Sequence, residues 1–334
     1  MKKNDLVYMW LLMFTLMLAA CGNGSNDAGQ SANNGTGKPS ASPASTAGAN
    51  TDNGASATRK YKHANGETEI PARPERVVTL QYASQMLSVG LKPIGAASHL
   101  LKTMDPSFQG IEDVGTPEAI NIEKILSLKP DLIVGADLDK NLYEKLSKIA
   151  PTVDVPWMDY DIFGHVKKMG DILNRQKEAE TWQTQFDEKL KQAKDKIKGK
   201  IPADKTFVIY RIDPKQLYVY GVRNIGFTLY KALDLPRPAI VQKEIDKDPN
   251  LWGIEISQEL LPNYSADYVF VTLLPGEDGK KRFDEIKSSA IWKNLPAVKN
   301  NHVYEIDMDT WLGYTPHGIE VQLTEAVKLL TENK

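Results

Sequence analysis

Apolar residues along this chain fall into two alternating patterns: short β-branched runs and longer stretches at helical spacing. The run Arg76-Val77-Val78-Thr79-Leu80 is followed by a helical stretch from Gln81 to Gly90 and then by Pro93-Ile94-Gly95-Ala96. A strand, a helix and a strand in that order predict a parallel α/β sheet. Asn121 opens a capped helix stopped by Pro130, and buried strands are expected at 131–135 and 152–155. The same grammar returns with strands at 207–211 and 217–220, a helix capped by Ser257, and strands at 267–271 and 303–306. In each half an N-cap residue is followed two positions later by glutamate and ten later by aspartate: Asn121, Glu123, Asp131 and Ser257, Glu259, Asp267. Two α/β lobes of similar build follow from this repetition, with Pro262 shortening or kinking the second helix.

Between the halves, no proline interrupts the chain from Gly164 to Lys200. Ala179, Trp182, Phe186, Leu190, Ala193 and Ile197 recur at helical spacing, with a break expected near Asn174. A helix from Gln176 to Lys198 would be ~35 Å long. Such a rod between two lobes restricts their relative motion, where strand linkers would permit a wide hinge.

The first residues differ in kind. Lys2 and Lys3 precede an apolar run from Leu6 to Ala20, shorter than the ~20 residues that comfortably span a bilayer. This reads as a signal peptide, residues 1–20. Leu18-Ala19-Ala20-Cys21-Gly22 matches the lipobox of bacterial lipoproteins, which predicts a lipid on Cys21. Residues 22–58 are nearly all Gly, Ser, Asn, Ala and Thr, a composition that cannot build a core and predicts a flexible tether. The expected plan is 1–20 signal peptide, 21–58 lipidated cysteine and disordered tether, 59–163 N-terminal lobe, 164–200 helical connection and 201–334 C-terminal lobe. Anchor and tether place the folded part on the outer face of the cytoplasmic membrane, in a bacterium lacking an outer membrane.

The 334 residues are 41% hydrophobic and 25% charged, with net charge −2, so no basic field calls for nucleic acid. The single cysteine excludes an internal disulfide and a cysteine-rich metal site. The five histidines are scattered, with no pairing at metal-ligand spacing, so direct metal binding is not expected. No Gly-x-Ser-x-Gly elbow, P-loop or Gly-x-Gly-x-x-Gly after a strand points to an enzyme. A surface hydrolase using a carboxylate pair is the rival class.

Gly115-Thr116-Pro117, with the run Asn121-Ile122-Glu123-Lys124-Ile125-Leu126-Ser127-Leu128-Lys129-Pro130-Asp131-Leu132-Ile133, resembles the substrate-binding proteins of iron-siderophore and cobalamin ABC importers. Ile256-Ser257-Gln258-Glu259 is similar to their second-lobe motif. The phrases at 148–153, 217–221 and 291–298 look like the ferric-siderophore lipoproteins, including hydroxamate binders. The resemblance covers roughly residues 60–332. It implies the class III binding-protein fold, with two α/β lobes on a long rigid helix and the ligand in the cleft between them. It also implies that Glu123 and Glu259 dock the ABC permease and its ATPase, one knob on each lobe. The dipole of a helix N-terminus is the other reason for a carboxylate in a first turn.

Loops at strand C-termini should line such a cleft. Tyr82, His99 and Lys102 follow N-lobe strands; Arg211 and Arg223 end or follow C-lobe strands; Trp252 precedes the Ser257 helix; Trp311, Tyr314 and His317 follow the strand at 303–306. Arginine offers forked donors to chelating oxygens and aromatic residues offer rigid apolar area. The expected ligand contacts are Tyr82, His99, Arg211, Arg223, Trp252, Trp311 and Tyr314, with Lys102 a solvated charge. The expected ligand is a ferric siderophore of hydroxamate type, the alternatives being ferric citrate, a catecholate complex, haem or cobalamin. No cofactor and a monomeric state complete the expectation.

Overall fold

The structure, a computed structural model, describes residues 57–102 and 105–332. The expected signal peptide, Cys21 and the tether up to residue 56 lie outside the described residues. Thr58–His63 and Gly66–Pro71 pair as an antiparallel hairpin, where the sequence reading set no strands. Its turn carries Asn65-Gly66, with Gly66 at φ +115°, a conformation in which glycine is unstrained. The hairpin is tied into the fold by Ala64 N–H donating to Asp154 O and by the Arg59 guanidinium donating to the carbonyls of Asp171 and Ile172.

The N-terminal lobe holds a five-stranded parallel sheet in the order Glu112–Asp113, Gly95–Ala96, Val77–Thr79, Leu132–Gly135, Thr152–Asp154. Its central strands are buried on both faces, which is why they read as unbroken apolar runs. Alternation separates the faces. Val77, Leu132 and Val134 join the main core, while Val78 and Ile133 join a smaller one with Val114, Ile125 and Leu146.

The C-terminal lobe is mixed. Its sheet runs Gly253–Ile256, Leu217–Tyr220, Phe207–Ile212, Tyr268–Leu273, Val303–Glu305, with the first two pairings antiparallel and the others parallel. The repeated aspartates do the same job in both lobes. Asp131 accepts the Glu75 N–H (2.8 Å) and Asp267 accepts the Thr206 N–H (2.9 Å), each tying a strand's start to the chain entering its neighbour. The Ser257 segment is a short 3-10 helix, Gln258–Tyr264, containing Pro262. Its N–H-less proline is the reason it falls short of the α-helix Ile122–Leu128 in the other lobe.

Helix Ile162–Ile172 and helix Gln176–Lys198 connect the lobes. Asn174, in the left-handed region at φ +56°, makes the expected break between them. Ala179, Trp182, Phe186, Ala193 and Ile197 form the buried stripe of the long helix. One core runs continuously from Val77 and Leu132 through Phe186 to Phe207 and Phe270, so the rod is packed into both lobes along its length.

Candidate functional site

On the C-lobe sheet, strand register sets Glu255 beside Tyr218, Tyr218 beside Arg211, and Arg211 beside Thr272. In-register neighbours project from one face, so these side chains form a polar row across four strands of an otherwise apolar sheet. The row stands near the end where the parallel strands of this sheet terminate. Arg211 closes a bidentate pair with Asp213, Nε to Oδ1 at 2.7 Å and Nη2 to Oδ2 at 2.9 Å. Its guanidinium lies 5.8 Å from the Tyr218 ring centroid. Trp252, 44% exposed, packs against Tyr218 and Tyr220 at 5.2 and 6.0 Å. Thr272 Oγ1 is buried with no hydrogen-bond partner among the described residues. The wall thus offers exposed aromatic area and a guanidinium whose charge is already matched, with the exposed Glu255 carboxylate at its edge and the Thr272 hydroxyl buried beneath.

A second group forms where the lobes meet. Trp157 stacks on His165 at 4.4 Å, Tyr82 lies 5.3 Å from His165, and Tyr314 stands edge-on to Trp157 at 5.9 Å. Arg223 comes from the C-lobe, 5.0 Å over the Tyr314 ring, and donates to the carbonyls of Trp157 and Tyr160 at 3.3 Å each. Tyr82 O–H donates to Val155 O at 2.7 Å. Burial first, and the charge of Arg223 next, push the His165 pKa down to about 4, so the ring is neutral.

The residues expected from the sequence therefore separate. Arg211 and Trp252 share the C-lobe wall. Tyr82, Arg223 and Tyr314 share the seam, where each is buried rather than open to a ligand. Trp311 joins neither group. It is wholly buried against Phe270, with its indole N–H donating to Glu325 at 2.8 Å, because the short helix Met308–Leu312 packs onto the C-terminal helix. His99 is exposed near Gln81, Lys102 is exposed, and His317 stands 3.9 Å from Asp105. Among the described residues no cluster of His, Cys, Asp and Glu has the makings of a metal site. Sequence reasoning missed Tyr218, Glu255 and Thr272, which look like ordinary strand residues until register aligns them. It also missed Trp157, Tyr160 and His165, although Trp157 and Tyr160 follow the strand at 152–154 and the strand-end rule, applied there, would have found them.

Glu123 and Glu259 are exposed in the first turns of their helices. Helix Gln258–Tyr264 follows the end of strand Gly253–Ile256, which runs parallel to the central strand Phe207–Ile212. Helix Ile122–Leu128 follows the small hairpin at 115–120, with the Asn121 N–H donating to Val114 O beside the end of strand Glu112–Asp113. Asn121 caps its helix by accepting the Lys124 N–H at 2.9 Å. The pKa of Glu259 is lowered by its own backbone N–H and by the Ser257 hydroxyl.

Two α/β lobes fastened by a stiff double helix, with aromatic and cationic side chains gathered at the seam and on one wall, define a solute-binding receptor of class III. The chain belongs to the periplasmic binding protein family, whose model matches residues 78–310. It is 34% identical over 347 residues to the iron(3+)-hydroxamate-binding protein YxeB of Bacillus subtilis (strain 168), covering 100% of both chains. It is 29% identical over 337 residues to the Fe(3+)-citrate-binding protein YfmC of the same organism, covering 96% of this chain and 94% of that one. The crystal structure of Staphylococcus aureus SirA complexed with staphyloferrin B superposes with a TM-score of 0.69 at 32% identity, covering 82% of this chain and 98% of that one.

Proposed function

We propose that this protein is the solute-binding component of an ABC importer that takes a ferric siderophore of hydroxamate type between its lobes and delivers it to a membrane permease. The observation that carries the ligand class is the Arg211–Asp213 pair. A trianionic catecholate complex calls for several converging unpaired cations, whereas a nearly neutral hydroxamate complex suits a matched charge beside the rings of Tyr218 and Trp252. The relative named for hydroxamate binding at 34% identity supports the same class. The one named for ferric citrate, at 29%, supplies the second reading.

In this reading Tyr218 and Arg211 with Trp252 face the chelate, His99 borders it from the other lobe, and Tyr82, Arg223 and Tyr314 act from the seam. Glu123 and Glu259 meet the permease, the lipid sits on Cys21, and the protein works as a monomer at the extracytoplasmic face. The lobes correspond to 59–163 and 201–334, joined by 164–200. Titration of tryptophan fluorescence with ferric hydroxamate, ferric citrate and a ferric catecholate is the test. Strong quenching by the hydroxamate is expected, and Arg211→Ala should weaken its binding about 10- to 100-fold. Tight binding of citrate or catecholate with none of hydroxamate overturns the ligand class.

A further inference from the structure

The segment from Trp157 to Asp161 leads from the last N-lobe strand into helix Ile162–Ile172. Its side chains reach the surface: Met158 is 50% exposed, Asp159 is exposed, and Trp157 and Tyr160 are half-buried. Its backbone is held from beneath by residues far along the chain. Arg223, 3% exposed, donates from Nη1 to Tyr160 O and from Nη2 to Trp157 O, both at 3.3 Å. His165 Nε2 lies 3.2 Å from the same Trp157 carbonyl. A neutral ring there donates from Nε2, so both lone pairs of that oxygen are filled, one from the interlobe helix and one from the C-lobe. One residue further on, the Tyr314 hydroxyl accepts the Ile162 N–H at 3.2 Å.

No carboxylate among the described residues pairs with Arg223. Its charge is met by carbonyl dipoles and by the face of Tyr314. A guanidinium buried on such terms is costly, and what it obtains is position: two carbonyls three residues apart are fixed by one planar fork. Resting on the reading of the lobe seam as the ligand site, we infer that Arg223 is a positioning residue. From the C-lobe it fixes the backbone at 157–160, and so sets where Trp157, Met158 and Tyr160 stand when a ligand arrives. It does this without touching the ligand.

Fluorine NMR of the protein labelled with 5-fluorotryptophan tests the assignment, with the Trp157 line identified by Trp157→Phe. Arg223→Met keeps the side chain's bulk and removes the fork. It is expected to shift or broaden the Trp157 line, leave the Trp292 line in place, and weaken ferric hydroxamate binding about tenfold. Arg223→Lys should restore the line and the affinity only in part. Tyr314→Phe, a milder change that removes only the acceptor of the Ile162 N–H, should move the Trp157 line by a smaller amount. An unmoved Trp157 line in Arg223→Met overturns the inference. So does a loss of affinity with that line unmoved, which would make Arg223 a direct ligand contact. If the Trp157 line moves and the wild-type protein binds no ferric hydroxamate, the clamp stands and the ligand reading falls.

Discussion

At the residue scale, His165 shows how burial converts into pH dependence. Its pKa lies near 4 in the fold, through burial and the Arg223 charge, with Asp161 pulling the other way, against an ordinary value of 6.5. The unfolded chain therefore binds a proton that the folded chain refuses. Stability is complete above about pH 6.5 and declines as pH falls towards about 4. The contribution is at most ~3 kcal/mol, and it should disappear in His165→Phe. Urea unfolding of both proteins between pH 7 and pH 4 measures it, and parallel pH profiles would refute it. Nothing in the sequence announced this residue, since a histidine inside a helical stretch looks the same whether it is stacked under a tryptophan or washed by solvent. Trp311 carries the converse lesson: its place after a strand suggested the cleft, while Gln322, donating to the carbonyls of Trp311 and Gly313, draws it into the C-lobe interior.

At the scale of elements, periodicity was a good guide and pairing was not. The stripe from Ala179 to Ile197 predicts the long helix with both of its observed ends, Gln176 and Lys198, because 3.6-residue spacing persists over six turns. The hairpin at 58–71 escaped because Thr, Lys and Glu fill its strands, although Asn65-Gly66 is a turn signal. The antiparallel strand Gly253–Ile256 escaped because it is too short to show alternation. The Gly-x-Pro motif gains a physical reason. Gly115 adopts φ +97°, and a Cβ there would lie 2.3 Å from Ala119 O, inside the small hairpin that delivers Asn121 and Glu123. Gly115→Ala should destabilise the protein by ~1–3 kcal/mol. Differential scanning calorimetry checks this, and an unchanged melting temperature would contradict it.

At the scale of the whole molecule, the two-lobe plan was legible from the recurrence of Asn121, Glu123, Asp131 in Ser257, Glu259, Asp267. The seam was not, since contacts such as Arg223 to Trp157 join residues 66 apart that no local pattern relates. The continuous core and the packed helix Gln176–Lys198 leave little room for hinge motion, because bending such a helix needs a proline, a glycine pair or an inserted water. Small-angle scattering should show only a slight change in radius of gyration on ligand binding. Glu123→Ala and Glu259→Ala should leave ligand affinity intact and impair uptake, most in the double variant; normal uptake in all three would remove their docking role. The matched Arg211–Asp213 pair also bears on speed. The pair cancels its own charge, and a nearly neutral chelate feels little long-range pull from the exposed Glu255 carboxylate beside it, so capture proceeds by unguided diffusion. Its association rate constant should vary less than about twofold between dilute and concentrated salt. Differences in affinity among related chelates would then arise almost wholly from how long each one stays bound.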